Sequence, residues 1–341
     1  MTFSDTLLIW YDENRRPLPW RESRDPYRIW LSEIMLQQTQ TETVKGYYAR
    51  FLDRFPTVFD LAQAPEDDVL KLWEGLGYYS RARNLHRAAK MVASEMNGVF
   101  PGNAEGLRKL PGVGPYAANA IASITADECV PALDGNQARV LSRILAHEDV
   151  IKTPFDLKDR AMELMHPDRP GDYNQALMDL GAGICTPRSP KCPLCPVAGF
   201  CAALKADACE DFPRKAPPIP KREQDICVVI AIHRGRILLH RRPKGLLGGL
   251  YEFCLLDAHH TPDELPAALE AAGFGPARVL SPLPPAKHVF THLVWRMQGY
   301  TAEVSAVPDG FIPVEPERLD TYAFPSAIRL YRECAGELAE G

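Results

Sequence analysis

Four cysteines crowd one short stretch of the chain: Cys185, Cys192, Cys195 and Cys201, spaced C-x6-C-x2-C-x5-C. Four thiolates this close in sequence can wrap one small metal centre. The full count is nine, an odd number, and the other five read as scattered core or surface thiols. Zinc sites more often pair two C-x2-C knuckles, whereas here one such pair is flanked by singletons, so spacing leaves zinc and iron–sulfur both open. Two carboxylates suggest a second chemistry. Glu33 stands in Trp30-Leu-Ser-Glu-Ile-Met-Leu-Gln-Gln-Thr39, hemmed by apolar residues. A helix there would bury the carboxyl, raise its pKa and keep a proton available near neutrality. Asp134, in Leu133-Asp-Gly-Asn136, precedes a helix expected over Gln137–Leu145, whose positive end favours the ionised form. The ordinary uses of these two residues are a salt-bridged helix glutamate and a plain N-cap aspartate.

The elements that must position them follow from periodicity. From Ser4 to about Leu204 the chain reads as mostly helical, with helical spacing in Ile29–Met35, Val69–Leu76, Leu85–Val92, Tyr116–Ile124, Val140–Leu145 and Ala176–Leu180. Breaks fall at 55–57, 101–103 and 111–115. Segment 210–224 is rich in proline and charge and suits a linker. Beyond it, strand-like runs occur at Ile226–Ile232 and Arg236–His240, joined at Arg234-Gly235, then at Tyr251–Leu256 and Val294–Tyr300. One helix is expected within 262–273, closed by glycine. The chain is therefore expected to have two domains, helical over 1–209 and α+β over 225–341.

Bulk composition narrows the class. The 341 residues exceed one ordinary core. Hydrophobic residues are 46% and charged residues 24%, a normal globular balance. No apolar run approaches ~18 residues, so no membrane span is expected. The start, MTFSDTLLIWYDENRRP, has no basic leader before its apolar run, so a reducing bacterial cytoplasm is the expected compartment. There, crowded cysteines argue for a metal or cluster rather than disulfides. The net charge of −5 leans against a strongly basic nucleic-acid binder but permits a local cationic track.

Leu110-Pro-Gly-Val-Gly-Pro-Tyr116 sits between two helical stretches. Gly112 and Gly114 let backbone N–H groups approach an anion, and the next helix offers its positive end. The bland alternative is a tight helix–turn–helix corner. The motif is similar to the helix-hairpin-helix of the endonuclease III superfamily of DNA glycosylases, and the cysteine spacing resembles its 4Fe–4S loop. That loop also carries Arg188 and Lys191, cations for a DNA backbone. The run SEIMLQQTQTETV resembles the MutY-type adenine glycosylases within that superfamily.

This resemblance implies a multi-domain protein: a mostly α helix-hairpin-helix glycosylase domain with a cluster loop, then an α+β Nudix-like domain. It implies that Glu33 protonates adenine and that Asp134 supports positive charge at the sugar. Tyr116 stands where lyase members place a lysine nucleophile, and tyrosine cannot form a Schiff base, so a monofunctional enzyme is expected. Trp20 and Arg21, in Pro19-Trp20-Arg21, resemble the adenine-pocket segment, with Arg21 orienting Glu33. Gln38, on the Glu33 helix, and Tyr78 resemble the residues that fill the emptied duplex, with Arg81 and Arg83 near phosphates. Leu246–Phe253 fits the strand entry of the Nudix-like module, but no acidic magnesium-binding helix accompanies it. Phe290, Thr291 and His292 stand where the family reads 8-oxoguanine with Phe-Ser-His, threonine keeping the hydroxyl. The expected partner is duplex DNA bearing 8-oxoguanine:adenine pairs, met by a nucleoid-associated monomer with no membrane contact. Rival readings are a pyrimidine or thymine glycosylase of the same fold and a cluster-bearing DNA binder without catalysis.

Overall fold

The computed structural model describes residues 1–338 apart from Pro218, Ile219, Lys244 and Leu246. Leu246 of the expected strand entry, and Pro218 and Ile219 of the expected linker, thus lie outside the described residues. By packing, the chain divides into two units: Met1–Gln63 with Asn84–Pro218, and Ala64–Arg83 with Ile219–Gly341. A division along the chain would assign 64–83 to the helical part. These residues pack with the later ones instead.

The helices are α1 (Phe3–Asn14), α2 (Pro26–Leu36), α3 (Thr41–Arg54), α4 (Val58–Gln63), α5 (Glu66–Leu72), α6 (Ser80–Glu95), α7 (Ala104–Leu107), α8 (Pro115–Ala126), α9 (Gly135–Leu145), α10 (Lys158–Glu163), α11 (Pro170–Gly183) and α12 (Ala202–Lys205). Local chemistry sets their ends. Asp25 caps α2 by accepting from the Tyr27 and Arg28 amides, and Pro26 fits the first turn, where no N–H is needed. Left-handed residues close α8 at Asp127 and α9 at Ala146. Leu7, Leu141, Tyr173, Leu177 and Leu180 are fully buried together and tie α1, α9 and α11 into one core. Each such aliphatic side chain contributes roughly 1.5–3 kcal/mol on burial. Five of the six helical runs expected from spacing fall inside helices. The sixth, Val69–Leu76, is cut short at Leu72, where Gly75 (φ 95°) and Gly77 (φ 71°) turn the chain.

The second unit carries a mixed sheet of β1 (Arg222–His233), β2 (Arg236–Arg241), β3 (Tyr251–Glu252), β4 (Cys254–Asp257), β5 (Ala277–Val289), β6 (Leu293–Val304) and β7 (Phe311–Val314), in the order β3-β2-β1-β6-β5. β4 also pairs with β1, and β7 with β2. β1 and β6 are parallel, from Arg222↔Leu293 to Ile232↔Glu303. Side chains alternate across a strand, and here both faces are buried. Ile226, Val228 and Ile230 of β1 face Trp295, Met297 and Tyr331. Cys227, Val229 and Ala231 face Leu265, Leu269 and Phe274. Helix α13 (Leu265–Ala271) thus covers one face, and α14 (Arg329–Glu337) covers the other. Polar contacts fasten segment 64–83 to this unit: Arg241 to Asp67 at 2.7 Å, the Tyr79 hydroxyl to the Phe324 carbonyl at 3.0 Å, and the Phe324 amide to Glu74 at 3.2 Å. Among the described residues no helix is long and apolar enough to cross a membrane.

Candidate active site

Helix α2 delivers Glu33 into the first unit. The side chain is 4% exposed, and its Oε2 has no hydrogen-bond partner. Burial pushes the Glu33 carboxyl up to about 7, while Tyr116 and the Arg21 charge offset part of the rise. Its neighbours line a narrow cavity of about 40 Å³ that includes Trp20, Leu36, Ile124 and Met178. Trp20 is buried edge-on against Tyr48, ring centres 5.5 Å apart. Tyr116, in the first turn of α8, directs its hydroxyl to Met178 Sδ at 3.7 Å. Burial and the charges of Glu33 and Asp134 keep that phenol protonated.

Asp134 is the N-cap of α9. Its Oδ1 accepts from the Asn136 amide at 2.8 Å and the Gln137 amide at 2.7 Å. The segment before it is pinned by buried Asn174, which accepts from the Ala132 amide at 3.0 Å and donates to the Val130 carbonyl at 3.0 Å. The amide bonds favour the carboxylate, as the helix position suggests. Burial acts more strongly, however, and the Asp134 carboxyl is raised above its ordinary value. The charge of Asp134 in turn raises Glu33. Glu33, Tyr116 and Asp134 therefore share one electrostatic neighbourhood.

Two expected placements change. Arg21 does not bond Glu33. It forks onto Asp179, at 2.6 and 3.0 Å, where Arg16 Nε also donates at 2.6 Å. Buried Asp179 thus fixes the cavity rim, and Arg21 reaches Glu33 only through its field. Gln38 is not on the Glu33 helix, which ends at Leu36. It stands exposed on the following turn with φ 57°. Nothing in the sequence around Asp179 marks it, since it lies in an unremarkable helical run.

The glycine turn forms as expected. The Val113 amide closes it onto the Leu110 carbonyl at 3.1 Å. Gly112 has φ 79°, and a Cβ there would meet Asn84 Cβ at 2.6 Å. A Cβ on Gly114, the N-cap of α8, would meet open space.

Cys185, Cys192, Cys195 and Cys201 border one apolar pocket. Among the described residues no three cysteine, histidine or acidic side chains close on a single ion. The donor set fits an iron–sulfur cluster, since four soft thiolates converge on one pocket and a guanidinium faces them. That guanidinium is Arg143 of α9, buried, with Nη1 3.3 Å from Cys185 Sγ and donating at 2.7 Å to the Thr186 carbonyl. Its Nη2 and Nε reach the Pro187 and Phe212 carbonyls. Arg139, one turn earlier, holds the Cys185 carbonyl at 2.8 Å. Sequence reasoning missed both arginines. Their four-residue spacing on an apolar helix was the available signal. It also missed Cys209, which borders the same cavity. Arg188 and Lys191 are exposed on this loop.

In the second unit, Phe290, Thr291 and His292 form the tip between β5 and β6, closed by the Phe290 amide on the Leu293 carbonyl at 2.7 Å. The Phe290 ring packs on Trp295 at 5.0 Å. Tyr78, exposed and left-handed at φ 49°, places its hydroxyl 3.3 Å from Thr291 Oγ1. Arg81 is not available to a phosphate as expected. It is buried, its Nη2 on the Leu76 and Gly77 carbonyls at 3.1 and 3.2 Å. Arg83 is engaged with the Gly248 carbonyl.

Comparison with known proteins divides the chain along its length. Residues 31–167 match the family described as HhH-GPD superfamily base excision DNA repair protein. Residues 185–201 match the iron-sulfur binding domain of endonuclease III, and 227–333 a NUDIX domain. The chain is 38% identical to the adenine DNA glycosylase of Mus musculus, over 91% of this chain and 72% of that protein. It is 36% identical to that of Homo sapiens, over 96% and 72%. Among solved structures, a thermostable thymine-DNA glycosylase is similar at 31% identity and TM-score 0.56, covering 60% of this chain and 95% of that one.

Proposed function

Because this chain belongs to the adenine DNA glycosylase family, we propose that its substrate is adenine paired with 8-oxoguanine, and that it works by hydrolysis without a lyase step. Adenine excision in base excision repair is the family's activity, and DNA is its partner. The observation that carries the mechanism is the buried Glu33 carboxyl with an unpartnered oxygen at a cavity walled by Trp20.

A stacked base is out of reach, so adenine is extruded to that cavity, which opens to take it. Glu33, which holds its proton up to about pH 7, gives it to a ring nitrogen on the imidazole side of the purine. The C1′–N9 bond then breaks, its electron pair leaving with neutral adenine. Asp134 stabilises the positive charge that grows at C1′, and that charge itself favours the carboxylate over the acid. Water adds at C1′ and loses its proton to the Glu33 carboxylate, which restores the acid. Tyr116 contributes a phenol instead of an amine. Trp20 walls the base, and Arg21, fixed by Asp179, sets the field. Gln38 and Tyr78 fill the emptied duplex. The turn at Gly112 and Gly114 holds a phosphate through backbone amides.

Tyr78, Phe290, Thr291 and His292 read the 8-oxoguanine. The contact between the Tyr78 and Thr291 hydroxyls supports this assignment. The protein carries a 4Fe–4S cluster, which Cys185, Cys192, Cys195 and Cys201 would hold. When bound, it supplies a thiolate-anchored core to the loop that offers Arg188 and Lys191 to DNA. Nine unpaired thiols suit a reducing bacterial cytoplasm, where the protein works as a monomer at the nucleoid.

Single-turnover base release from A:8-oxoguanine, A:G and T:G duplexes tests the reading. Adenine should leave fastest opposite 8-oxoguanine. Thymine release would overturn the substrate, and efficient borohydride trapping on DNA would overturn the hydrolytic step.

A further inference from the structure

Cys209 is not a scattered thiol. It follows Cys201 by eight residues and borders the same cavity as the four motif cysteines. Its Sγ lies 3.9 Å from Cys192 Sγ. It also interacts with the Cys201 thiol, and Arg143 contributes a positive charge beside it. Five thiols therefore border a space whose cluster takes four. Two thiolates on one tetrahedral metal stand about 3.8 Å apart, given a metal–sulfur bond of ~2.3 Å. Sulfurs at the Cys192–Cys209 separation consequently compete for one iron, whereas thiolates on different corners of a cubane are spread more widely.

We propose that Cys209 is a reserve ligand at the Cys192 corner, able to take that iron when the Cys192 thiolate is lost. The exchange is ligand substitution: one iron–sulfur bond breaks, one forms, and the Cys209 proton passes to solvent or to the departing thiolate. No electron is transferred. The inference rests on the four motif cysteines being the primary ligands.

The test uses full-length protein purified without reconstitution, with iron and acid-labile sulfide assayed per chain beside the visible absorption of the cluster. Cys195→Ser, whose corner has no such neighbour, should lose most of its iron. Cys192→Ser should keep at least half. Cys192→Ser/Cys209→Ser should fall to the Cys195→Ser level. If Cys192→Ser is as empty as the double variant while Cys195→Ser is also depleted, the reserve role is wrong and the primary ligands stand. If Cys195→Ser keeps wild-type iron, the ligand set itself is wrong. Circular dichroism on each variant separates cluster loss from unfolding. A depleted Cys192→Ser that is still folded counts against the proposal.

Discussion

At the Glu33 cavity the proposed acid is 4% exposed and one of its oxygens has no partner. At the Phe290–His292 tip, Tyr78 is 48% exposed and its hydroxyl already meets Thr291. The first region keeps a polar group dry and unsatisfied, at a cost of about 1–3 kcal/mol for an unmade bond. The second holds its polar groups in water, where a lost contact is readily replaced. The difference separates tasks. Proton transfer needs a perturbed acid, and perturbation needs burial. Recognition needs an accessible, orientable surface. Gln38 and Tyr78 fall on the recognition side, since both are exposed non-glycine residues held at positive φ, 57° and 49°. Such a conformation is uncommon and projects a side chain from a tight turn.

The comparison breaks most sharply at Glu33. Glu33→Gln should lower single-turnover adenine release by about 10²–10⁴-fold while leaving affinity for mispaired DNA near wild type. Equal release by both proteins would end the acid assignment. Asp134→Asn should cost about 10²–10³-fold in the same assay. Asparagine caps helices as well as aspartate does, so thermal unfolding should barely move, and the loss reports charge rather than folding. In wild type, release should fall as pH rises through about 7, where buried Glu33 loses its proton. The stability linkage has the same sign. Between the ordinary value of 4.5 and about 7, the folded chain holds a proton that the unfolded chain gives up, so this residue's contribution to stability declines as pH rises. Urea unfolding of wild type against Glu33→Gln across that window checks the slope.

Effects at the tip should be smaller and of another kind. Thr291→Val should reduce the preference for 8-oxoguanine over guanine about tenfold, the value of one hydrogen bond, and leave release from A:G pairs within about twofold. Thr291→Ser should alter neither by more than about twofold, since the hydroxyl remains. A large drop in A:G release on Thr291→Val would mean that the two regions do not divide the work as described.

Much of the helical unit was legible from apolar runs set between caps and Gly/Pro breaks, although α2, α8 and α9 are buried all round, over Ile29–Met35, Ala117–Ile124 and Gln137–Ile144. The four cysteines and the glycine turn were legible because local spacing carries them, whereas pairing Glu33 with Asp134 rested on the family resemblance. What was not legible is what depends on distant partners. β5 was missed because Pro282, Pro284 and Pro285 read as strand breakers. They are tolerated because β5 is the last strand in the sheet order and its pairing with β6 shifts register twice. The β7 and α14 elements were also unread. Asp179 meets Arg16 and Arg21 across about 160 positions of sequence, and no local pattern announces such a pair. The net upward shift at Asp134 likewise reflects burial that a helix-cap argument omits.

Helix α9 has a mechanical consequence. Asp134 caps its first turn, while Arg139 and Arg143 further along clasp the carbonyls of the cysteine loop. An eleven-residue helix is a strut about 16 Å long. Slackening of the loop at one end would be transmitted to the carboxylate at the other, so a chain stripped of iron should lose the aim of Asp134.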